Sequence, residues 1–204
     1  SDDNLMLSRA VAKELRRHGV AVDETRTEDK TVSLNERSNL ENSGAYDYFI
    51  SFHRNAFKPE QARGVETYIH TNAAATAKQL AGKLQAALAD IGFVNRGIKT
   101  ANFHVLRETK APAILVEVGF IDNTSDNQLF DNKRDEIVEV VTKAVLEQSG
   151  IKYIPTVISP PKQQAGQVLY RVMAGSYAVR ANAERQVEKL RKAGFDAVIM
   201  PYKA

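Results

Sequence analysis

The sequence predicts an α/β fold, an open, mostly parallel twisted sheet flanked by helices, with a small β-α-β module at the C-terminal side. Three observations lead there. Apolar strand-like runs, 48–53 and 113–118, alternate with amphipathic helical stretches along residues 1–150, the pattern of parallel strands joined by helical crossovers. Residues 151–167, IKYIPTVISPPKQQAGQ, carry three prolines and no periodic charge, which reads as an extended linker. Residues 168–204 then offer strand, helix and strand once each. The expected division is a domain over 1–150, a linker over 151–167 and a module over 168–204.

Each element has its own warrant. Residues 4–18 place Leu5, Leu7, Ala10, Val11, Ala12 and Leu15 on one helical face, closed by Gly19 after a basic last turn. Residues 20–25 read as a short strand. Ser33-Leu-Asn-Glu36 is a capping-box sequence that opens a helix to about Asn42. The strand over 48–53 follows, then a loop with Pro59, then a strand over 64–71. The longest helix is expected over 72–91, with Ala77, Leu80, Leu84, Leu88 and Ile91 inward and Gly92 as its stop. A glycine-containing loop over 95–101 leads to a short strand over 103–106, and Pro112 precedes the strand 113–118. Ser125 to Gln128 can cap a helical turn, and 136–148 is a helix with Ile137, Val140, Val141, Ala144 and Val145 on one face. In the tail, 169–174 alternates as a strand, 182–193 is a basic amphipathic helix, and 197–200 is a second strand.

Composition narrows the function classes. A chain of 204 residues with 43% hydrophobic content can bury a core. No apolar run approaches the roughly 18 residues of a membrane span, so no membrane insertion is expected, and the acidic start SDDNLMLSRA does not read as a secretory signal. With no cysteine, His, Asp and Glu are the available metal ligands. Residues 1–150 hold 19 Lys/Arg against 22 Asp/Glu, whereas 168–204 hold 7 against 3. A basic module on an acidic domain suits an anionic polymer, or is simply a solvated helix face. The tail lacks the clustered aromatics of a single-strand binder, so nucleic acid is discounted as a partner.

The chemistry is expected around Glu117 and His53. Glu117 interrupts an apolar run, and a glutamate there either points from the strand end into a crevice or is capped by backbone N–H groups or an arginine. His53 ends a second apolar strand, and two such ends side by side make a site.

These residues also carry a resemblance. Asn4-Leu5, Thr25-Arg26, Ser33-Leu34 to Arg37, Phe49-Ile-Ser-Phe-His53-Arg-Asn55-Ala56, Gly64-Val-Glu66-Thr-Tyr68, Asn95-Arg96-Gly97 and Val116-Glu117-Val-Gly119-Phe120 with Asn123 follow in order. In this, residues 1–150 resemble the zinc-dependent N-acetylmuramoyl-L-alanine amidases of bacterial autolysins and phage endolysins. The resemblance implies Zn2+ as cofactor, His53 as a zinc ligand, Glu117 as the catalytic carboxylate, and hydrolysis of the amide between N-acetylmuramic acid and L-alanine in peptidoglycan. It also implies two further ligands, a histidine and a glutamate, upstream of Ser1. His70, His104 and Glu66 are the candidates within the chain to stand in for them, while Arg26 and Arg37 could meet substrate carboxylates or form structural ion pairs. A chain without those ligands would instead be a non-catalytic cell-wall-binding protein that keeps the fold.

Residues 169–204 resemble the first half of a SPOR domain, a peptidoglycan-binding module, through Tyr170-Arg-Val-Met-Ala-Gly175-Ser-Tyr177, Ala181-Asn-Ala-Glu184 and Ala193-Gly-Phe195. That resemblance implies glycan strands as partner and assigns Met173 and Ser176 to glycan binding, Met173 standing where the family often has glutamine. The expected place of action is the bacterial cell wall, reached as a phage endolysin or a mother-cell autolysin.

Overall fold

The computed structural model describes residues 2–155, 173–192, 195 and 197–201. The chain divides into two compact units, 1–155 and 156–204.

In the first unit, helix α1 (Asp2–Arg17) has acidic residues in its first turn and Arg16 and Arg17 in its last, each complementing the helix dipole. Helix α2 (Leu34–Asn42) begins with the predicted capping box: the Ser33 hydroxyl accepts from Glu36 N–H and the Glu36 carboxylate accepts from Ser33 N–H at 2.7 Å. Strands β1 (Phe49–Asn55) and β2 (Val65–Ile69), helix α3 (Ala75–Asp90), strand β3 (Asn95–Thr100), one-turn helix α4 (His104–Arg107) and strand β4 (Ala113–Phe120) follow, then helices α5 (Thr124–Asn132) and α6 (Arg134–Gln148).

The four strands form one sheet in the order β1-β4-β2-β3. β1 is parallel to β4 and β2 is parallel to β3, but β2 runs antiparallel to β4. One face carries the main core. Leu7, Val11 and Leu15 of α1, Leu80, Leu84 and Leu88 of α3, and Ile137, Val141 and Val145 of α6 close over Val65, Ile69, Ile114, Val116 and Val118. The opposite face bears only a small apolar cluster, in which Val105 and Leu106 of α4 meet Ala113, Leu115, Phe49 and Tyr68. This thinly covered face is where polar side chains have room.

Two buried carboxylates tie the frame together. Asp126, on α5, accepts from Gly64 N–H at 2.7 Å and Phe120 N–H at 2.8 Å, joining the approach to β2 to the end of β4. Glu41, on α2, accepts from Lys110 N–H and Ala111 N–H at 2.9 and 2.8 Å, fixing the approach to β4. On the core face, the nearly buried Arg54 pairs with Asp3 at 2.8 Å and stacks over Phe130.

Several sequence expectations are corrected. Residues 20–25 are not a strand: Val20 N–H closes on Leu15 C=O and the Val22 carbonyl accepts from Arg16, so the segment seals the end of α1. Residues 95–101, expected as a loop, hold β3, a polar edge strand whose exposure hides its sheet pairing from an apolar pattern. Residues 103–106, expected as a strand, enter α4, because consecutive Val105 and Leu106 are buried in one patch, which a helical turn allows and a strand's alternation does not. The cap of α5 is Asn123, whose side chain accepts from Asp126 N–H, rather than Ser125.

In the second unit the described residues contain one helix, α7 (Arg180–Lys192). The predicted strand 169–174 lies largely outside the described residues, and its last two, Met173 and Ala174, are not in a strand. Nor are Ala197 to Met200, where Val198 and Met200 are exposed. A strand exists by virtue of ladder partners, and among the described residues of this unit none pairs with them.

Candidate active site

Across the parallel ladder His53 of β1 is the Cα partner of Glu117 of β4, and across the antiparallel ladder Glu66 of β2 is the partner of Glu117 from the other side. Directly paired residues project to the same face of a sheet. One imidazole and two carboxylates therefore form a transverse row on three adjacent strands, on the thinly covered face. The strands continue past the row, β1 to Asn55 and β4 to Phe120, so His53 and Glu117 stand on the face instead of projecting from strand ends as expected. Beyond the row the ladder is irregular: the β1–β4 register shifts between His53 and Asn55, and Gly119 has φ +76° with Asp126 against its Cα.

The Glu117 side chain makes no hydrogen bond among the described residues, and its Oε2 is inaccessible to solvent. Neither a backbone cap nor an arginine partner is present. Burial, and then the neighbouring charge of Glu66, push its carboxyl up to about 7. Such a group holds or gives up a proton near neutral pH.

His53 is the opposite case. Burial first, and the nearby Arg37 guanidinium second, hold its pKa below the ordinary value, so the imidazole is neutral. Its Nε2 shares a 2.9 Å hydrogen bond with the Ser51 hydroxyl, two residues away on the same face of β1. Nδ1 has no hydrogen-bond partner among the described residues.

Glu66, 2% exposed, is saturated. It accepts from Arg96 Nε at 2.7 Å, Tyr68 OH at 2.7 Å, Asn55 Nδ2 at 2.6 Å, and Lys99 Nζ. Burial opposes its charge, yet the Lys99, Arg96 and Tyr68 donors outweigh burial and keep its carboxyl below the usual range. The row thus pairs a carboxylate fixed as an anion with one poised to titrate. Next to it Asn55, Phe57, Gln61, Glu66, Arg96 and Phe120 line an open groove of about 280 Å³.

Arg96 and Lys99 are the residues that the sequence reading did not connect to the site. They lie on β3, whose polar, exposed sequence carries no apolar pattern. Their signal was Glu66 itself, since a glutamate inside the strand VETYI requires donors from a neighbouring strand.

The remaining candidates fall elsewhere. The His70 Nδ1 accepts from Asn72 N–H, and His104 bonds the Ser38 hydroxyl at 3.1 Å, so neither joins the row. His18 is half-buried: Nδ1 bonds the Glu14 carbonyl, Nε2 accepts from Ile154 N–H, and the ring stacks on Tyr153. Arg26 pairs with Asp29 at 3.1 Å. Arg37 is held by Val32 C=O and Thr25 Oγ1. In the second unit Met173 and Ser176 are exposed ahead of α7.

As a metal donor, His53 fits in kind: a neutral imidazole with one nitrogen oriented by a hydroxyl and the other unengaged is what a borderline-soft divalent ion uses. Glu117 beside it keeps a carboxylate oxygen without a hydrogen-bond partner among the described residues. Among the described residues no cluster of three His, Asp or Glu side chains surrounds them, and Glu66 is spent on its own cations.

The chain is similar to known proteins. Residues 1–147 match the family model described as N-acetylmuramoyl-L-alanine amidase, and residues 142–201 match that of the SPOR domain. The sporulation-specific N-acetylmuramoyl-L-alanine amidase of Bacillus subtilis is 33% identical over 184 residues, covering 89% of this chain and 68% of that protein. The amidase CwlM of Bacillus licheniformis is 35% identical over 182 residues, covering 89% and 67%. Among solved structures, an N-acetylmuramoyl-L-alanine amidase from Clostridium difficile 630 superposes with a TM-score of 0.69 at 33% identity, covering 73% of this chain and 83% of that one. The catalytic domain of CwlV from Paenibacillus polymyxa superposes with a TM-score of 0.68 at 28% identity, covering 74% and 85%.

Proposed function

Because this chain belongs to the N-acetylmuramoyl-L-alanine amidase family and carries a SPOR domain, we propose that the row on β1 and β4 hydrolyses the amide between N-acetylmuramic acid and the L-alanine of the stem peptide. The observation that carries this reading is the register pairing of a neutral His53 with a Glu117 whose carboxyl is raised to about 7 and has no partner.

Amide hydrolysis needs a base that takes a proton from water and an acid that returns it to the leaving amine, and one carboxyl with a pKa near the working pH can do both in turn. Glu117 takes that role: it accepts the proton at its carboxylate and delivers it to the amide nitrogen as the bond to carbon breaks. Burial first, and then the charge of Glu66 held as an anion by Arg96 and Lys99, keep the proton affinity of Glu117 high. His53 would hold Zn2+ through its unengaged Nδ1, with Ser51 fixing the ring. When bound, zinc supplies Lewis acidity toward the carbonyl and makes water a nucleophile near neutral pH.

Domain boundaries belong to the same reading: an amidase domain over 1–150, a linker over 151–167 and a wall-binding module over 168–204. The family matches overlap within α6, whose Val145 and Leu146 are buried in the first unit's core, which supports starting the second module after that helix. In that module Met173 and Ser176 are assigned to the glycan strand.

The test is zinc content together with the release of L-alanine amino termini from purified peptidoglycan. The expected result is about one zinc per active chain, loss of zinc and activity in His53→Ala, and at least about 100-fold slower cleavage with zinc retained in Glu117→Gln. A chain that pellets with peptidoglycan, holds no zinc and releases no amine would instead be a non-catalytic wall-binding protein.

A further inference from the structure

Four arginines in the described part of the first unit are neither fully buried nor exposed, namely Arg26, Arg37, Arg54 and Arg134. Three of them have a carboxylate: Asp29 for Arg26, Asp3 for Arg54 and Asp131 for Arg134. Arg37 forms no ion pair with any described residue. Its Nε donates to Val32 C=O at 3.2 Å and its Nη1 to Thr25 Oγ1 at 3.0 Å, which fixes the guanidinium plane and leaves Nη2 without an acceptor among the described residues.

That arrangement costs something. Burial first, and then the like charge of Arg26, lower the pKa of Arg37, while Glu36 acts in the opposite direction. Its position accounts for the cost. Arg37 lies on α2, whose next residue, Ser38, bonds His104 at the start of α4, the helix packed on the thinly covered face of the sheet.

We propose that Arg37 is a specificity residue that receives a free carboxylate of the stem peptide, distinguishing peptides that carry the carboxylate from those in which it is a carboxamide. A planar, pre-oriented guanidinium suits a carboxylate, because it offers charge and a directed N–H together, and a neutral amide gains neither in full. The proposal rests on the amidase reading for its substrate, but its test does not depend on turnover.

Two muramyl peptides are prepared that differ only in a carboxylate or a carboxamide next to the L-alanine, and their binding to the full-length Glu117→Gln protein is measured by calorimetry. The expected result is about 10-fold or greater preference for the carboxylate, abolished by Arg37→Gln with unchanged affinity for the carboxamide, and partly kept by Arg37→Lys. Zinc content stays the same in all three. With active protein the same preference lies in KM and not in kcat. Equal binding of the two peptides to the Glu117→Gln protein overturns the proposal without needing a variant at position 37. So does an equal loss for both peptides in Arg37→Gln, or a loss of zinc there, which would make Arg37 a support for the metal set. Failure of the amidase reading would show differently, as carboxylate-selective binding with no cleavage by the unmutated chain.

Discussion

The carboxyl of Glu117 is ordinarily half-protonated at 4.5, and in the folded chain at about 7. Between those values the folded protein binds a proton that the unfolded chain has released, so stability must fall as pH rises from about 4.5 and level off above about 7. For metal-free protein, thermal unfolding followed from pH 4.5 to 8 should show that decline, and Glu117→Gln should flatten it. Parallel curves for the two proteins would mean that the carboxylate is solvated after all. Glu66 shows the contrast within one row. Its two cations and two neutral donors make it a permanent anion, and the lesson for reading sequences is specific: both glutamates interrupt apolar strands, yet only the neighbours brought by β3 tell them apart. From sequence, Glu117 and His53 were legible because one interrupts an apolar run and the other ends one. The roles of Arg96 and Lys99 were not, since a solvent-edge strand such as NRGIKT leaves no apolar trace.

At the scale of elements, what the sequence disclosed follows how local each cause is. The capping box of α2 and the apolar stripes of α1, α3 and α6 depend on residues three or four apart, and they stand where the pattern put them. The misread segments, 20–25, 95–101 and 103–106, are those whose conformation is set by a distant partner: Arg16 for the first, β2 for the second, and the Ala113–Leu115 patch for the third. Gly64 belongs with them. It has φ +106° and its Cα faces the carbonyl of Val94, where an added Cβ would lie 2.1 Å from the oxygen. Because Val94 C=O also accepts from Val65 N–H at 2.9 Å, the obstacle is backbone and cannot rotate away. Gly64→Ala should cost about 3 kcal/mol or more and disturb the β2–β3 pairing, seen as a large drop in the urea midpoint with loss of amide protection at Val65. A drop below about 1 kcal/mol would show that the β2 approach can yield.

The molecule as a whole is two units, and the first has a defined end. Ile151 and Tyr153 pack on the main core, Tyr153 stacks on His18 with ring centres 5.0 Å apart, and Ile154 N–H reaches His18 Nε2 at 2.9 Å. A chain ended after residue 148 should therefore be less stable than one ended after 155 by about 2 kcal/mol, the worth of two partly buried apolar side chains. Equal unfolding midpoints would place the end of the domain at α6. The transverse row has a consequence for how such a protein can be altered. Its three polar side chains are spaced by the ladder, with alternate residues facing opposite sides, so inserting or deleting one residue in β4 would turn Glu117 into the core and bring a valine into its place. Lengthening is open to the connection over 56–63, whose Phe57 and Gln61 line the groove. Swapping that connection, and leaving the strands untouched, is a route to redesigning the range of cleaved peptides.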